Sequence, residues 1–145
     1  MFGEFQHRVD EKGRVIVPAM FREELGYKFY VTKDLTQRSL KMYSMDGWKK
    51  IADKYNRLPS NNRAVQMQRR LLFSSAVECE VDKQGRITIP AKLREYADIK
   101  KEVIFAGDGD RAEIWDTDNW DKYFDESPLT PEEAADIVAE LEKAL

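Results

Sequence analysis

Along the chain, short stretches in which apolar and polar residues alternate are separated by stretches in which apolar residues recur every three or four positions. Arg14-Val15-Ile16-Val17 and Arg86-Ile87-Thr88-Ile89 put Val15 with Val17, and Ile87 with Ile89, on one face of an extended segment. A strand is predicted at each. Pro18 and Pro90 then end pairing and suit the first turn of a short helix, carried by AMFREEL and AKLREYA. A second pair of strands is expected in each half: YKFYVTK and SLKMYSM, then EVIFAG and RAEIWD, with Gly107-Asp108-Gly109-Asp110 as the hairpin turn between the last two.

Each strand pair leads into an amphipathic helix. Asp46 or Asp118 is the expected N-cap, and Trp48, Ile51, Ala52 and Tyr55, or Trp120, Tyr123 and Phe124, share the apolar face. The two tryptophans are expected in the core, because aromatics at helical spacing pack under the neighbouring element. Leu58-Pro59-Ser60-Asn61-Asn62 reads as a linker, followed by a helix from Arg63 to about Leu72. Thr130-Pro131-Glu132-Glu133 combines an N-cap, a proline at the first helical position and a capping-box glutamate. The stripe Ala134, Ile137, Val138, Leu141 and Leu145 behind it is expected to pack on this chain or on a sister subunit.

These elements come twice. VDEKGRVIVPAMFRE from Val9 returns as VDKQGRITIPAKLRE from Val81, an offset of 72 residues between Asp10 and Asp82. The same offset carries Met42-Tyr43 onto Ile114-Trp115, Asp46 onto Asp118 and Trp48 onto Trp120. Two long copies argue against a solenoid, which needs at least three stacked units, and for the two halves of one pseudo-symmetric body. The expected division is a first module over residues 1–58, a linker helix over 59–75, a second module over 76–124 and an acidic C-terminal helix over 125–145.

Composition narrows the function classes. The 145 residues carry 42% hydrophobic and 35% charged side chains, which suits one soluble domain or two small interdependent ones. No apolar run approaches the roughly 20 residues of a membrane span, and MFGEFQHR lacks the apolar region of a secretory signal, so a cytoplasmic location is expected. Charge is distributed unevenly: residues 1–75 hold 15 Lys+Arg against 8 Asp+Glu, and residues 76–145 hold 9 against 19. The halves are thus +7 and −10 within a total of −3, which leaves room for a local basic patch.

Enzymatic readings find little support. Cys79 and His7, the single cysteine and the single histidine, are repeat equivalents, and a nucleophile and base would result if the pseudo-symmetry brought them together. The plainer reading puts both on equivalent strand positions. There is no GxxxxGK[ST] or GxGxxG loop to cradle phosphate and no zinc-type spacing, so neither a cofactor nor a metal is expected. Asp10 and Asp82 are better explained by their turns, where each carboxylate can bond backbone amides and meet Arg14 or Arg86, while Gly13 and Gly85 supply positive φ.

The basic residues have a repeat pattern of their own. Arg14 and Arg86 flank the turns, Arg22 and Arg94 lie on the helices that follow, and Lys12, Lys83 and Lys92 stand nearby. Guanidinium forks can bond phosphates or the O6/N7 edge of guanine, and a β-ribbon or short helix fits the major groove. Salt bridges for Arg14 and Arg86, and solvated helix faces for Arg22 and Arg94, account for the same residues equally well.

The pattern V-D-x-x-G-R-[VI]-x-[VI]-P-x-x-[LF]-R-E resembles the AbrB/SpoVT family of DNA-binding modules. Two such modules in one chain, with RRLLFSSAVECEVDKQGR between them and EIWDTDNW near the end, are similar to bacterial transcriptional regulators built from a tandem pair. The resemblance implies an α+β fold, mainly β with short helices: a pseudo-twofold swapped-hairpin AbrB-like β-barrel, with linker and C-terminal helices added. It implies double-stranded DNA as partner, self-assembly into a homo-oligomeric ring, association with the nucleoid, and no catalysis, small-molecule substrate, membrane or cofactor. The function implied is binding to short direct repeats in the promoter of the cell-division and cell-wall gene cluster. Arg8, Arg14 and Arg22, then Arg86 and Arg94, are the DNA-facing positions it implies, and Lys12 and Lys83 nearby complete the candidate DNA-binding set. The second module departs at Cys79-Glu80, where the first has His7-Arg8. A scaffold module that kept the fold and lost DNA binding is the alternative reading.

Overall fold

The structure is a computed structural model that describes residues 1–59, 61–126 and 129–145; Ser60 of the expected linker, and Ser127 and Pro128 ahead of the last helix, lie outside them. Its elements run β1 (Glu4–Arg8), β2 (Arg14–Ile16), α1 (Ala19–Leu25), β3 (Lys28–Lys33), β4 (Leu40–Ser44), α2 (Met45–Asn56) and α3 (Arg63–Ser75). The second half repeats them as β5 (Val77–Glu80), β6 (Arg86–Thr88), α4 (Ala91–Tyr96), β7 (Glu102–Asp108), β8 (Arg111–Asp116) and α5 (Thr117–Glu126), then adds α6 (Pro131–Lys143). The fold is α+β, with antiparallel strands and several short helices.

Strand pairing exchanges the halves. The six-stranded sheet has the order β1-β7-β8-β4-β3-β5, so the first strand of each half pairs with the third strand of the other. β2 and β6 form a separate two-stranded ribbon. Within it Val15 stands opposite Ile87, its own repeat equivalent, and in the large sheet Lys41 stands opposite Glu113, again 72 residues apart. A pseudo-twofold axis therefore passes through both pairs.

The symmetry is broken at one place and restored at the next. Lys28 and Glu102 occupy equivalent ends of β3 and β7, opposite Glu80 and Arg8, and they are 74 residues apart rather than 72. Two residues have been added between α4 and β7, where Asp98 takes φ 55°. The β7–β8 hairpin turns tightly between Asp108 and Arg111 over Gly109-Asp110, two residues shorter than its counterpart, and the 72-residue offset returns at β8. The sequence had signalled that turn.

The apolar alternation accounts for the core. Val15, Val17, Ile87 and Ile89 all point inward at 1% exposure or less. They meet Phe29 and Val31 of β3, Leu40 and Met42 of β4, Val103 and Phe105 of β7, and Ile114 of β8 in one cluster. Across the axis the large and small members trade places, Phe29 for Val103 and Val31 for Phe105, which conserves core volume without repeating the sequence. The other sheet face is covered by helices. Tyr30 stacks on Trp48 of α2 at 5.0 Å, and Trp115 meets Trp120 of α5 at 5.5 Å.

Several local expectations are corrected. The backbone ladders do not close into a barrel: β1 and β5 remain the edges of the large sheet, and the β2–β6 ribbon stands apart. The Asp10 and Asp82 turns lead each chain out of the large sheet into the ribbon, and Pro18 and Pro90, which lack an N–H, end the ribbon after a few residues. Those prolines occupy the N-cap positions of α1 and α4 rather than their first turns. In α2 the N-cap is Ser44, whose Oγ accepts from the Gly47 N–H at 3.1 Å, and at the equivalent site the Asp116 carboxylate accepts from the Asp118 N–H at 3.2 Å. Asp46 lies in the first turn, where its charge favours the helix dipole. α3 continues to Ser75, whose Oγ reaches the Leu71 carbonyl, and Thr130 caps α6 as expected.

A fragment of residues 1–75 would contain β1 and β2 without the strands they pair with. A second copy of the same fragment can supply equivalents of β7 and β6. Its denaturation midpoint is therefore expected to rise with protein concentration, and its folded form to have twice the fragment mass. A fragment midpoint independent of concentration would contradict the exchange.

Candidate nucleic-acid interface

The two turns are built alike from their aspartates. Asp10 Oδ1 accepts from the Lys12 N–H at 2.9 Å and the Arg14 N–H at 2.8 Å, and Oδ2 accepts from Arg14 Nε at 2.7 Å. Asp82 repeats this with Gln84, Arg86 and Arg86 Nε, each at 2.9 Å. The backbone N–H of Arg14, and of Arg86, is the main reason each carboxyl titrates below its ordinary range; the guanidinium beside it adds to the effect. Gly13 and Gly85 take φ 82° and 79°, and their N–H groups close the turns onto the carbonyls of Asp10 and Asp82.

On the ribbon, burial alternates as a strand requires. Val15 and Ile87 face the core, while Arg14 and Ile16, with Arg86 and Thr88, face outward. Arg14 lies opposite Thr88 and Arg86 opposite Ile16, which places the two arginines diagonally about the pseudo-twofold axis. Both side chains stay partly exposed, at 36% and 28%, with Nε held by aspartate. The aspartates orient the arginines, and the salt bridges anticipated from sequence are present at both.

The helix arginines cross over. Arg94 of α4 covers the first turn: its Nε donates to the Ile89 carbonyl at 3.0 Å, and a Cβ on Gly13 would lie 2.9 Å from that nitrogen. Arg22 of α1 covers the second turn, where a Cβ on Gly85 would overlap its guanidinium. Each basic cluster is therefore composite. The first unites Lys12 and Arg14 with Arg94 from the second half, and the second unites Lys83 and Arg86 with Arg22 from the first. Arg22, Lys83, Asp82 and Gly85 line one cleft of 760 Å³.

Sequence reasoning missed Lys100 and Lys101. Lys100 lines a hollow with Arg94, and both lysines line the adjoining one with Arg8, which they share with Glu102, Asp116 and Asp118. By the 74-residue offset their counterparts beside the second cluster are Gly26 and Tyr27, and the counterpart of Arg8 is Glu80. The two-residue insertion that separates the two sets is masked in the repeat by the shorter β7–β8 turn. The first cluster consequently has more cations beside it than the second.

His7 and Cys79 stand apart on equivalent strands. His7 lies on β1 opposite Val103, and Cys79 lies on β5 opposite Phe29, at the two far edges of the sheet. Burial pushes the Cys79 thiol up to about 11, the wrong direction for a thiolate, and lowers the pKa of His7. Among the described residues no group of three His, Cys, Asp or Glu side chains is placed to hold a metal ion, and no helix is long and apolar enough to cross a membrane.

Comparison with known proteins adds an independent finding. The family model described as MraZ protein matches residues 1–71 and again residues 72–139. A protein named transcriptional regulator MraZ from Alkaliphilus metalliredigens is 49% identical over 139 residues, 96% of each chain. Its namesake from Caldanaerobacter subterraneus subsp. tengcongensis is 48% identical over 136 residues, 94% of each. The relative of the same name from Thermoanaerobacter sp. is 46% identical over 141 residues. Transcriptional regulators are not an enzyme class.

The aspartates make the turns acid-sensitive. Their folded pKa values lie below the unfolded ones, so their contribution to stability is full above the ordinary carboxylate pKa of about 4 and is lost as pH falls through the folded values. Thermal midpoints measured from neutral to acid pH should decline across that window. The Asp10→Asn/Asp82→Asn variant should start lower and lose less. An acid limb as steep as that of the unsubstituted chain would remove the aspartates from this role.

Proposed function

This chain belongs to the MraZ family, and on that premise we propose that it is a transcription regulator that binds double-stranded DNA through the outer face of the β2–β6 ribbon and the turns and helix ends beside it. The observation that carries the reading is the pair Arg14 and Arg86, oriented by aspartates and displayed about the pseudo-twofold axis on an element thin enough for the major groove. Arginine forks there bond guanine edges or phosphates bidentately, while Ile16 and Thr88 between them offer methyl groups for contact with thymine. Lys12 and Lys83, Arg22 and Arg94, and Arg8 at the end of β1 supply phosphate contacts that fix register.

The targets are short direct repeats in the promoter of the cell-division and cell-wall gene cluster, and the protein engages them as a multimeric ring. One ribbon spans few base pairs, and each mismatch costs about 1–3 kcal/mol. Tethered copies bind successive repeats at high effective concentration, which raises avidity by roughly 10² to 10⁴ without new contacts. Repeat spacing then becomes part of recognition, and the protein resides with the nucleoid in the cytoplasm.

The cations beside the first turn make Arg14 the stronger contact. Arg14→Ala is expected to weaken binding to a duplex from the region upstream of the protein's own gene by about 1–3 kcal/mol, and Arg86→Ala by less. Removing one phosphate-binding cation lowers the salt slope of log K by about 0.9. Fluorescence anisotropy at several salt concentrations, with circular dichroism to confirm folding, reads both. Folded Arg14→Ala protein with unchanged affinity and slope would leave Arg14 a purely structural residue and favour the scaffold reading.

A further inference from the structure

In the first half, α3 covers the tryptophan of the preceding helix: Phe73 meets Trp48 edge-on at 6.1 Å, and Leu72 beside it is buried. Among the described residues the second half lacks that cover. Trp120, the equivalent of Trp48, packs on Trp115 and on Phe124 of its own helix, and Tyr123 and Phe124 are left 42% and 57% exposed. Glu4, Trp120, Asp121, Phe124 and Asp125 line a hollow of 430 Å³ there. The surface is aromatic and acidic.

The outer face of α3 has the opposite character. Arg63, Met67, Arg70 and Ser74 recur at helical spacing and are all exposed, Met67 at 59%. Arg69, Arg70 and Phe73 line a hollow of 380 Å³ beside it, and Arg69 Nε is shielded from solvent with no hydrogen-bond partner among the described residues. α6 follows α5 as α3 follows α2, and it is the obvious rival for the open tryptophan face. However, its Glu132, Glu133, Asp136, Glu140 and Glu142 stand against the single Lys143, so it brings no charge complementary to Asp121 and Asp125.

We propose that the basic, methionine-bearing face of α3 in one copy of this chain docks on the acidic aromatic face of α5 in the next. Met67 is the flexible apolar group that enters the hollow beside Trp120 and Phe124, and Arg63 and Arg70 meet Asp121 and Asp125 while stacking on the exposed rings. The two surfaces are different and lie on different halves, so the contact is head-to-tail and propagates from copy to copy until the rotation closes. This deepens the multimer reading above and rests on it.

The test uses the full chain, without nucleic acid, so that its outcome is independent of whether the protein binds DNA. Light scattering coupled to size exclusion at micromolar concentration should show a multiple of the 17.0 kDa chain mass. Arg63→Glu/Arg70→Glu and Asp121→Lys/Asp125→Lys change only exposed side chains, and circular dichroism should confirm that both variants fold. Each alone should fall to lower mass. An equimolar mixture should recover the multimer, because the reversed charges are again complementary and the unaltered faces still fit. A monomeric parent chain, variants that keep the parent mass, or a mixture that fails to recover it would overturn the proposal. Loss of the multimer on Leu141→Asp while both charge variants retain it would transfer the contact to α6.

Discussion

The pairing of Val15 with Ile87 is the contact on which the rest of the molecule depends. A strand laid antiparallel against its own repeat equivalent defines a twofold axis, and once β2 pairs with β6 each half has given its first two strands to the other. β1 must then find β7, and β5 must find β3. Only the β3–β4 and β7–β8 ladders lie within one half, while β1–β7, β3–β5, β4–β8 and β2–β6 cross between halves, so the two share a core in which Phe29 and Phe105 each fill the volume that a valine leaves at the equivalent site. The exchange ties stability to the whole chain rather than to either repeat.

The same exchange composes the charged surface. Counted along the chain, the halves are basic and acidic, but the fold sets Arg94 of the acidic half on the turn of the basic half, and Arg22 on the turn of the acidic one. Charge per half is thus a poor guide to charge per cluster. What distinguishes the clusters is the insertion before β7, which brings Lys100 and Lys101 beside Arg94 and Arg8. Beyond the ribbon, α2 and α3 together carry +4 of the first half's +7, and α5 and α6 together −7 of the second half's −10. One asymmetry thus serves two surfaces.

Much of this was legible in the sequence where short-range physics decides. The Asp-x-x-Gly turns, the alternating strands, the Gly107-Asp108-Gly109-Asp110 hairpin and the Thr130 cap each depend on residues a few positions apart, and their chemistry is local. The N-caps of α2 and α5 were misplaced because Asp46 and Asp118 compete with Ser44 and Asp116, and only the direction of the preceding strand selects between them. Crossing of Arg22 and Arg94 was not legible, because residue spacing says nothing about which turn a helix end covers. The insertion was hidden by its own compensation: two extra residues before β7 and a next turn shorter by two leave the 72-residue offset intact on either side.

The basic clusters proposed to bind DNA are assembled across the two halves. A double-mutant cycle on affinity for the upstream duplex tests this directly, using Lys12→Ala, Lys83→Ala and Arg94→Ala singly and in pairs. Residues on one patch should couple by about 0.5–3 kcal/mol, and residues on separate patches should add. Coupling between Lys12 and Arg94, with additivity between Lys83 and Arg94, is the predicted result. Coupling of Arg94 with Lys83 instead, or three substitutions without effect on affinity, would contradict the account.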